Sequence, residues 1–523
     1  MLAGNRLSMQ DLYETLVAAA GRGMTASIWA ARKPDMVAVR SVFGEKTFSQ
    51  INASANRVVR LLRGHGVAAG DAIALLCGNR AEFVEVLAGA LRGGYRITPV
   101  NWHLNAEEVE YIINDCEAKA LFAETRYPAG LAAHAPRVRV KVSIGEDAAG
   151  FLPYAQSLAA FEASDIEDPI LGAAMLYTSG TTGRPKGVYR RNPMPILMPE
   201  PGAPDDVAMC AGPAYHAAPL AFDVRAAMAQ GNPLVFLDRW DSEGFLAAVE
   251  RHRVTRVHMV PIMFQRLLAL PAEVRDRYDI SSLRTVVHGA APCPPEVKKA
   301  MINWFGPVFT EYYAGSEGGA GLIVNSEEWL AKPGTVGRVP MPGAVKILDD
   351  EGGEITQANR SGMIYFKVSP VAPFEYFNDP AKTAAAHRGD YFTLGDVGHL
   401  DEDGYLFLTG RTAECIISGG VNIYPQEIDN EIIKHPAVED SCAIGVPNEE
   451  WGEAVKVVVT LRPGHAPSPE LAGEILAFAR ARLAGFKSPR SLEFADELPR
   501  SPAGKIQRGK VRAPYWAGRA RQI

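Results

Sequence analysis

The sequence is poor in the features that mark zinc modules, disulfide scaffolds and membrane proteins. Its six cysteines, at 77, 116, 210, 293, 415 and 442, include no CxxC pair. That excludes the usual spacing of a structural zinc site and offers no disulfide framework. No apolar run approaches the roughly 18 residues that a membrane-spanning helix needs. The opening "MLAGNRLSMQDLYETL" lacks a basic stretch followed by an apolar one, so no signal peptide is expected and the reading is a reduced, cytoplasmic protein. A basic surplus is missing too: the formal net charge is -6, which speaks against a nucleic-acid partner. There is no internal repeat and no low-complexity tract.

What is present is an ordinary globular composition, 47% hydrophobic and 22% charged over 523 residues, long enough for two or more domains. Ile51, Ala55, Val58, Val59 and Leu62 have helical spacing, and "AIALLC" (72–77) predicts a buried strand. "NRAEFVEVLAGALRGG" predicts a helix closed by glycines, "YRITPV" a strand, "NAEEVEYIIND" a helix and "ALFAE" a strand. Strands alternating with helices imply parallel sheets with helices on their faces. The alternation returns between about 205 and 310, in "PLVFL", "FLAAVERHR" and "VHMVP". After about residue 335 the texture changes. Short runs such as "AVKILDDEGG", "MIYFKVS" and "GYLFLTGR" are separated by Gly and Asp turns, which predicts small antiparallel sheets. From about 414 a strand pair, "DSCAIGVP" and "EAVKVVVTLRPG", is followed by a helix, "SPELAGEILAFARARLAG", the pattern of a small α+β domain.

Residues 177–188 read "YTSGTTGRPKGV", where "GAAMLYTSG" predicts a strand running into a loop. Gly180, Gly183 and Gly187 allow positive φ and close approach to a ligand. Thr178, Ser179, Thr181 and Thr182 add hydroxyl donors, and Lys186 adds a positive charge. Successive N–H groups in such a loop form an anion-binding concavity, so the composition is that of a phosphate cradle. It is not a Walker A loop, because Gly187 and not a hydroxyl residue follows Lys186. A metal ligand must come from elsewhere.

The same stretch closely resembles the phosphate-binding loop of the acyl-adenylate-forming superfamily, which includes acyl-CoA synthetases, adenylation domains of peptide synthetases and beetle luciferases. The resemblance continues in order from about residue 30 to 515. "PAYHAAP" (213–219) resembles the aromatic–His motif near the acyl carboxylate, which implies roles at the acyl pocket for Tyr215, His216 and Ala217. "HGAAP" (288–292) is similar to the segment passing the adenine, with Gly289, Ala290 and Ala291. "EYYAGSEGG" (311–319) resembles the Tyr-Gly-x-Thr-Glu element. It implies Glu317 as the Mg²⁺ ligand, Tyr313 with Tyr312 at the adenine, and Ser316 in place of the usual threonine. Ala314 replaces the usual glycine at the pocket wall, beside Gly315. "DYFTLGDVGHLDEDGYLFLTGR" (390–411) implies that Asp396 takes the ribose hydroxyls and that Arg411 adds a second contact. "LPRSPAGKIQR" (498–508) implies that Lys505 is the lysine essential for adenylation.

The resemblance implies an α/β fold. It has a large N-terminal adenylation domain (1–410) of two parallel-rich sheets flanked by helices plus a small antiparallel barrel-like part. A hinge (411–413) leads to a small mobile α+β lid domain (414–523). It also implies ATP, Mg²⁺ and coenzyme A as reaction partners, with Lys186 holding the β- and γ-phosphates. In "IISGGVNIYP", Ser418, Gly419 and Gly420 would let the pantetheine thiol pass. The hinge position, usually Asp or Lys, is Ala413, with Glu414 next. Three activities fit: a free-standing acyl-CoA synthetase, an enzyme loading an acid onto a separate carrier protein, and a nucleotide binder that has lost catalysis. Intact Lys186, Glu317, Asp396, Arg411 and Lys505 argue against the last. Asp223 is open to two readings, a grip on a substrate amine or a helix-start carboxylate. Small Ala217, Ala218, Ala290, Ala291 and Gly315 suit a fatty or bulky hydrophobic acid, or else close backbone packing. A homodimer is the default expectation for a soluble enzyme.

Overall fold

The computed structural model describes residues 9–178, 185–195, 203, 205–349, 351–411, 414–418, 421–448, 451–501 and 504–517. The chain forms two compact units. The first comprises the described parts of Met1–Met259, Leu270–Val287 and Val368–Ala385, and the second those of Val260–Ala269, His288–Lys367 and Ala386–Ile523.

In the first unit a wholly parallel sheet runs in the order Leu152–Pro153, Val140–Ile144, Ala118–Glu124, Ala72–Leu76, Arg96–Pro99, Ala173–Ala174. Every side chain of Ala72–Leu76 is buried, which is why this strand reads as an unbroken apolar run instead of an alternation. A second sheet runs in the order Thr285–His288, Arg256–Met259, Ala208–Cys210, Leu234–Phe236, Val37–Ser41, Gly44–Thr47, ending in an antiparallel hairpin. The helices expected by periodicity form at Phe48–Gly64, Ala81–Arg92 and Ala106–Asp115. Thr47 with Gln50, and Asn105 with Glu108, make reciprocal capping boxes that fix two of their starts. The apolar stripe Ile51, Ala55, Val58, Val59 and Leu62 is fully buried.

"GAAMLYT" departs from the single strand expected. Ala173–Ala174 joins the parallel sheet, whereas Leu176–Thr178 pairs with Lys186–Tyr189 in a separate antiparallel sheet completed by Glu375–Tyr376. The chain changes partners at buried Met175.

In the second unit Phe309–Gly315 and Gly318–Asn325 form an antiparallel hairpin. An antiparallel sheet runs in the order Thr335–Arg338, Tyr405–Arg411, Asp396–Leu400, Gly362–Lys367, Tyr391–Phe392, His387–Arg388, with Val345–Leu348 also paired to Gly362–Lys367. The C-terminal segment is α+β. Val438–Asn448 and Gly452–Leu461 form a long antiparallel pair flanked by Ile416–Ser418 and by parallel Ser491–Phe494. Its core contains Ile428 and Ile432 from the helix Pro425–Ile432 and Ile475 from the helix Pro469–Arg480. The architecture is a mixed α/β fold of parallel sheets, an antiparallel part and a small α+β C-terminal segment. Among the described residues no helix is long and apolar enough to cross a membrane, and the six cysteines are free thiols.

Candidate active site

A cavity of about 290 Å³ opens within the second unit. Its first wall is the turn after Thr285–His288. Gly289 is indispensable there, because a Cβ would come within 2.6 Å of the Tyr312 carbonyl. Ala290 takes φ 66°, a conformation L-residues rarely adopt; such strain concentrates at ligand sites. Gly289, Ala290 and Ala291 all line the cavity.

The facing wall is the hairpin from Phe309. Tyr313 pairs with Leu322, and Gly315 with Gly318, with a register shift between Tyr313 and Gly315. That bulge re-aims the strand just before the turn. Ser316 and Glu317 form the turn itself, so "EYYAGSEGG" is a hairpin tip that presents Glu317. Tyr312, Tyr313, Ala314 and Gly315 line the cavity. A Cβ at Gly315 would meet Glu317 Oε2 at 2.8 Å, so the glycine keeps the space beside that carboxylate.

Asp396 and Arg411 are cross-strand partners, which places their side chains side by side. Arg411 Nε donates to Asp396 Oδ1 at 2.7 Å, and the Tyr313 hydroxyl donates to Oδ2 at 2.6 Å. Asp396 is buried, and charge-assisted bonds of this kind hold a carboxylate rigid while leaving lone pairs on both oxygens. Lys505 lines the same cavity. It remains accessible to water, as a group at a cleft mouth does, yet protein surrounds it closely. Desolvation, then the Arg411 cation, lowers its pKa to about 8, against the opposing carboxylates of Asp396, Glu414 and Glu317. The structure therefore brings Lys505, Asp396, Arg411 and Glu317 into one electrostatic neighbourhood.

Other expected residues lie in the first unit. Thr178 pairs with Lys186 across the antiparallel strands. The Lys186 ammonium forms an ion pair with Asp379, lowering the Asp379 pKa. Lys186 thus opens a strand instead of sitting within a loop. Ser179, Gly180, Thr181, Thr182 and Gly183 lie outside the described residues. Tyr215 is buried, and its hydroxyl bonds His103 Nδ1 at 2.9 Å. His216 and Ala217 follow it, half-buried. Burial, then the charge of His216, drops the His258 pKa to about 3, so two imidazoles share this region.

Asp223 corrects the helix-start reading. It sits inside a π-helical stretch, Pro219–Arg225, fully buried, and accepts the His258 N–H at 2.9 Å. Its carboxyl is pushed well above the usual range, by burial first. It is a structural group, bonded also to the Cys210 thiol. Ser418 ends the strand Ile416–Ser418, half-buried. Gly419, Gly420 and Ala413 lie outside the described residues. Sequence reasoning missed Asp379, Asp429 and the part played by Arg508. Their ion pairs join residues at least 79 positions apart and leave no periodic signal.

Mg²⁺ can be tested against the donors present. Among the described residues no group of three or more His, Cys, Asp or Glu forms a metal cage. A single hard oxygen donor such as Glu317 fits an ion that keeps its waters and takes its other ligands from phosphates.

The family model of the AMP-binding enzyme matches residues 27–373, and that of the AMP-binding enzyme C-terminal domain matches residues 427–505. A feruloyl-CoA synthase of Amycolatopsis sp is 33% identical over 505 residues, covering 93% of this chain and 98% of that protein. A fatty acid–[acyl-carrier-protein] ligase of Streptomyces coeruleorubidus is 29% identical over 522 residues, covering 95% and 97%. The crystal structure of an anthranilate CoA ligase in complex with anthranoyl-AMP superposes with a TM-score of 0.83 at 24% identity, covering 95% of this chain and 97% of that one, a likeness of fold.

Proposed function

The chain belongs to the AMP-binding enzyme family and is an AMP-forming acid–thiol ligase; on that premise we propose that it joins a fatty or bulky hydrophobic carboxylic acid to coenzyme A through an acyl-adenylate. The observation that carries this reading is the convergence of Lys505, Asp396 and Arg411 on one cavity, with the Glu317 carboxylate acting electrostatically on Lys505.

A carboxylate is a poor acyl donor because its oxygen would leave as oxide. In the first half-reaction the acid's oxygen bonds the α-phosphorus of ATP and the bond to pyrophosphate breaks. Negative oxygens crowd around phosphorus, so charge neutralisation and positioning supply most of the rate. Asp396, held by Tyr313 and Arg411, accepts the ribose hydroxyls. The Lys505 ammonium meets the α-phosphate and the incoming carboxylate. Lys186 exchanges Asp379 for the β- and γ-phosphates, helped by Thr178 and the glycine-rich loop. His216 and Tyr215 would face the acid. Glu317 would hold Mg²⁺, which supplies Lewis-acid neutralisation of phosphate oxygens when bound.

In the second half-reaction the thiol bonds the acyl carbon and AMP leaves with the electron pair. A domain boundary at 411–413, with Ala413 as hinge, would let residues 414–523 withdraw Lys505 and bring Ser418, Gly419 and Gly420 past the pantetheine. Coenzyme A as acceptor is supported by two exposed aromatics beside cations. Trp451 has the Arg490 guanidinium 5.9 Å from its ring, and Phe486 has the Lys487 ammonium 5.7 Å away. Aromatic faces next to positive charge suit a phosphorylated adenine. The second reading, transfer to a separate carrier protein, is favoured by the fatty acid–carrier ligase among the relatives.

The test is incubation with Mg-ATP, coenzyme A and a panel of carboxylic acids. Pyrophosphate release with a thioester seen by mass spectrometry is expected. Pyrophosphate without thioester moves the acceptor to a carrier protein, and no pyrophosphate with any acid defeats the ligase reading.

A further inference from the structure

The turn carrying Lys505 closes on itself. The Ser501 N–H donates to the Lys505 carbonyl at 2.7 Å, the Gly504 N–H to the Ser501 carbonyl at 2.8 Å, and the Lys505 N–H to Ser501 Oγ at 3.2 Å. Gly504 takes φ +77°, and a Cβ there would overlap Ile262 Cγ2 at 2.4 Å. The turn therefore fits against the helix Pro261–Leu268 only as glycine.

An arginine grips each flank. Arg500 donates to the Gly504 carbonyl at 2.5 Å and pairs with Asp440. Arg508, buried at the start of the helix Arg508–Arg512, is anchored by Glu414 at 3.0 Å, Asp429 at 3.0 Å and the Ala443 carbonyl at 2.6 Å, and also donates to Cys442 Sγ at 3.5 Å. Asp429 is itself buried and is held by the Ser441 hydroxyl and the Ala443 N–H. A buried guanidinium needs a counter-charge, because an unpaired one costs several kcal/mol. Asp429 already supplies it. The second carboxylate, Glu414, is 37% exposed, so its pair with Arg508 is weak as a source of stability. It stands three residues after Arg411, the cavity's ribose-side cation, on the chain leaving that strand. The Glu414–Arg508 pair thus ties the Lys505 segment to the residue that opens the C-terminal part of the chain.

We propose that Glu414, acting through Arg508, is a positioning residue for Lys505 that sets where its ammonium stands in the nucleotide cavity. The inference rests on the acid-activating reading above, and it gives Glu414 a task in the first half-reaction.

Glu414→Gln is the test, since a partly exposed side chain can lose its charge without loss of the fold. Pyrophosphate release should fall about tenfold in kcat, as a displaced catalytic group would cause, with the KM for ATP nearly unchanged. Thioester formation from supplied acyl-adenylate should stay at the wild-type rate. Glu414→Asp should recover most of the loss, and Tm should hold. A second readout needs no substrate: labelling of Lys505 by a small amine-acylating reagent across pH, read by peptide mass spectrometry. The charges facing Lys505 are Arg411, Asp396, Glu414 and Glu317. Loss of the Glu414 charge leaves Arg411 less opposed, so the labelling midpoint should move to lower pH. Wild-type adenylation with an unmoved midpoint overturns the proposal, as does equal loss of both half-reactions with a lowered Tm. A moved midpoint in a protein whose wild type adenylates no acid supports the placement and defeats the ligase reading instead.

Discussion

Lys186 precedes a glycine and Lys505 follows one, yet the two are held in opposite ways. Lys186 opens a strand and, among the described residues, has one ion-pair partner, Asp379; the two side chains are 23% and 30% exposed. Lys505 rides a self-bonded turn gripped on both flanks by arginines that are themselves tied to Asp440, Asp429 and Glu414. The difference fits what each would meet in the proposed reaction. A cation facing the outer phosphates of ATP meets a flexible, spread-out charge and tolerates a loose mounting. A cation at the reacting phosphorus must stand within a fraction of an ångström of its place, which takes a supporting shell.

The largest effect should come from the tightly held lysine. Lys505→Ala should lower pyrophosphate release by about 10²–10³-fold, the scale for losing one preorganised electrostatic group. Thioesterification of supplied acyl-adenylate should be spared. Equal loss of both half-reactions would put Lys505 in a structural role and erase the contrast. Next comes the carboxylate beside it. Asp396→Ala removes an acceptor of two O–H bonds and strands Arg411, and should cost about 10–100-fold in kcat/KM for ATP, from roughly 1.5–3 kcal/mol of charge-assisted bonding. A deoxyribose analogue should lose less on the variant than on the wild type, and an equal loss on both would deny Asp396 the ribose.

The smaller contrast is legible through pH. The Lys505 pKa is lowered to about 8, so the ammonium proposed to neutralise the α-phosphate is lost as pH rises past that point. Adenylation kcat/KM should fall about tenfold per unit above it. Bound ATP, being anionic, should move the limb upward in kcat. The thioester half-reaction should lack this limb. Its persistence in Lys505→Arg, whose guanidinium does not titrate there, would assign it to another group.

How much of this was legible before the fold is clear from particular residues. The stripe from Ile51 to Leu62 and the run at 72–76 announced themselves because burial imposes a period on a helix and removes polar residues from a central strand. The site residues Asp396, Glu317 and Lys505 were placed by family resemblance; by themselves they would read as turn or surface charges. Neither route could supply Asp379, which lies 193 residues from Lys186, or the Glu414–Arg508 pair, which spans 94. Ion pairs between distant segments are set by topology and leave no local pattern. The split of "GAAMLYT" between two sheets was hidden for a related reason: strand propensity does not name a partner.

The smallest effect sharpens the comparison most, because its sign is opposite to the others. If Lys186 must leave Asp379 to reach the phosphates, that pair competes with ATP. Asp379→Asn should then lower the KM for ATP. A partly exposed pair of this kind contributes little, so the gain should be no more than about fivefold. The variant should fold, since an asparagine oxygen can still accept the Lys382 N–H that Asp379 Oδ1 accepts at 3.0 Å. The gain should shrink as salt screens the pair in the wild type. It should also vanish in Lys186→Ala, where no ammonium is left to release. A KM that rises in Asp379→Asn would mean that the carboxylate aims Lys186 at the phosphates and does not hold it back. The strand lysine would then be positioned much as Lys505 is, by a dedicated acid, and the distinction between a loose and a tight mounting would fail.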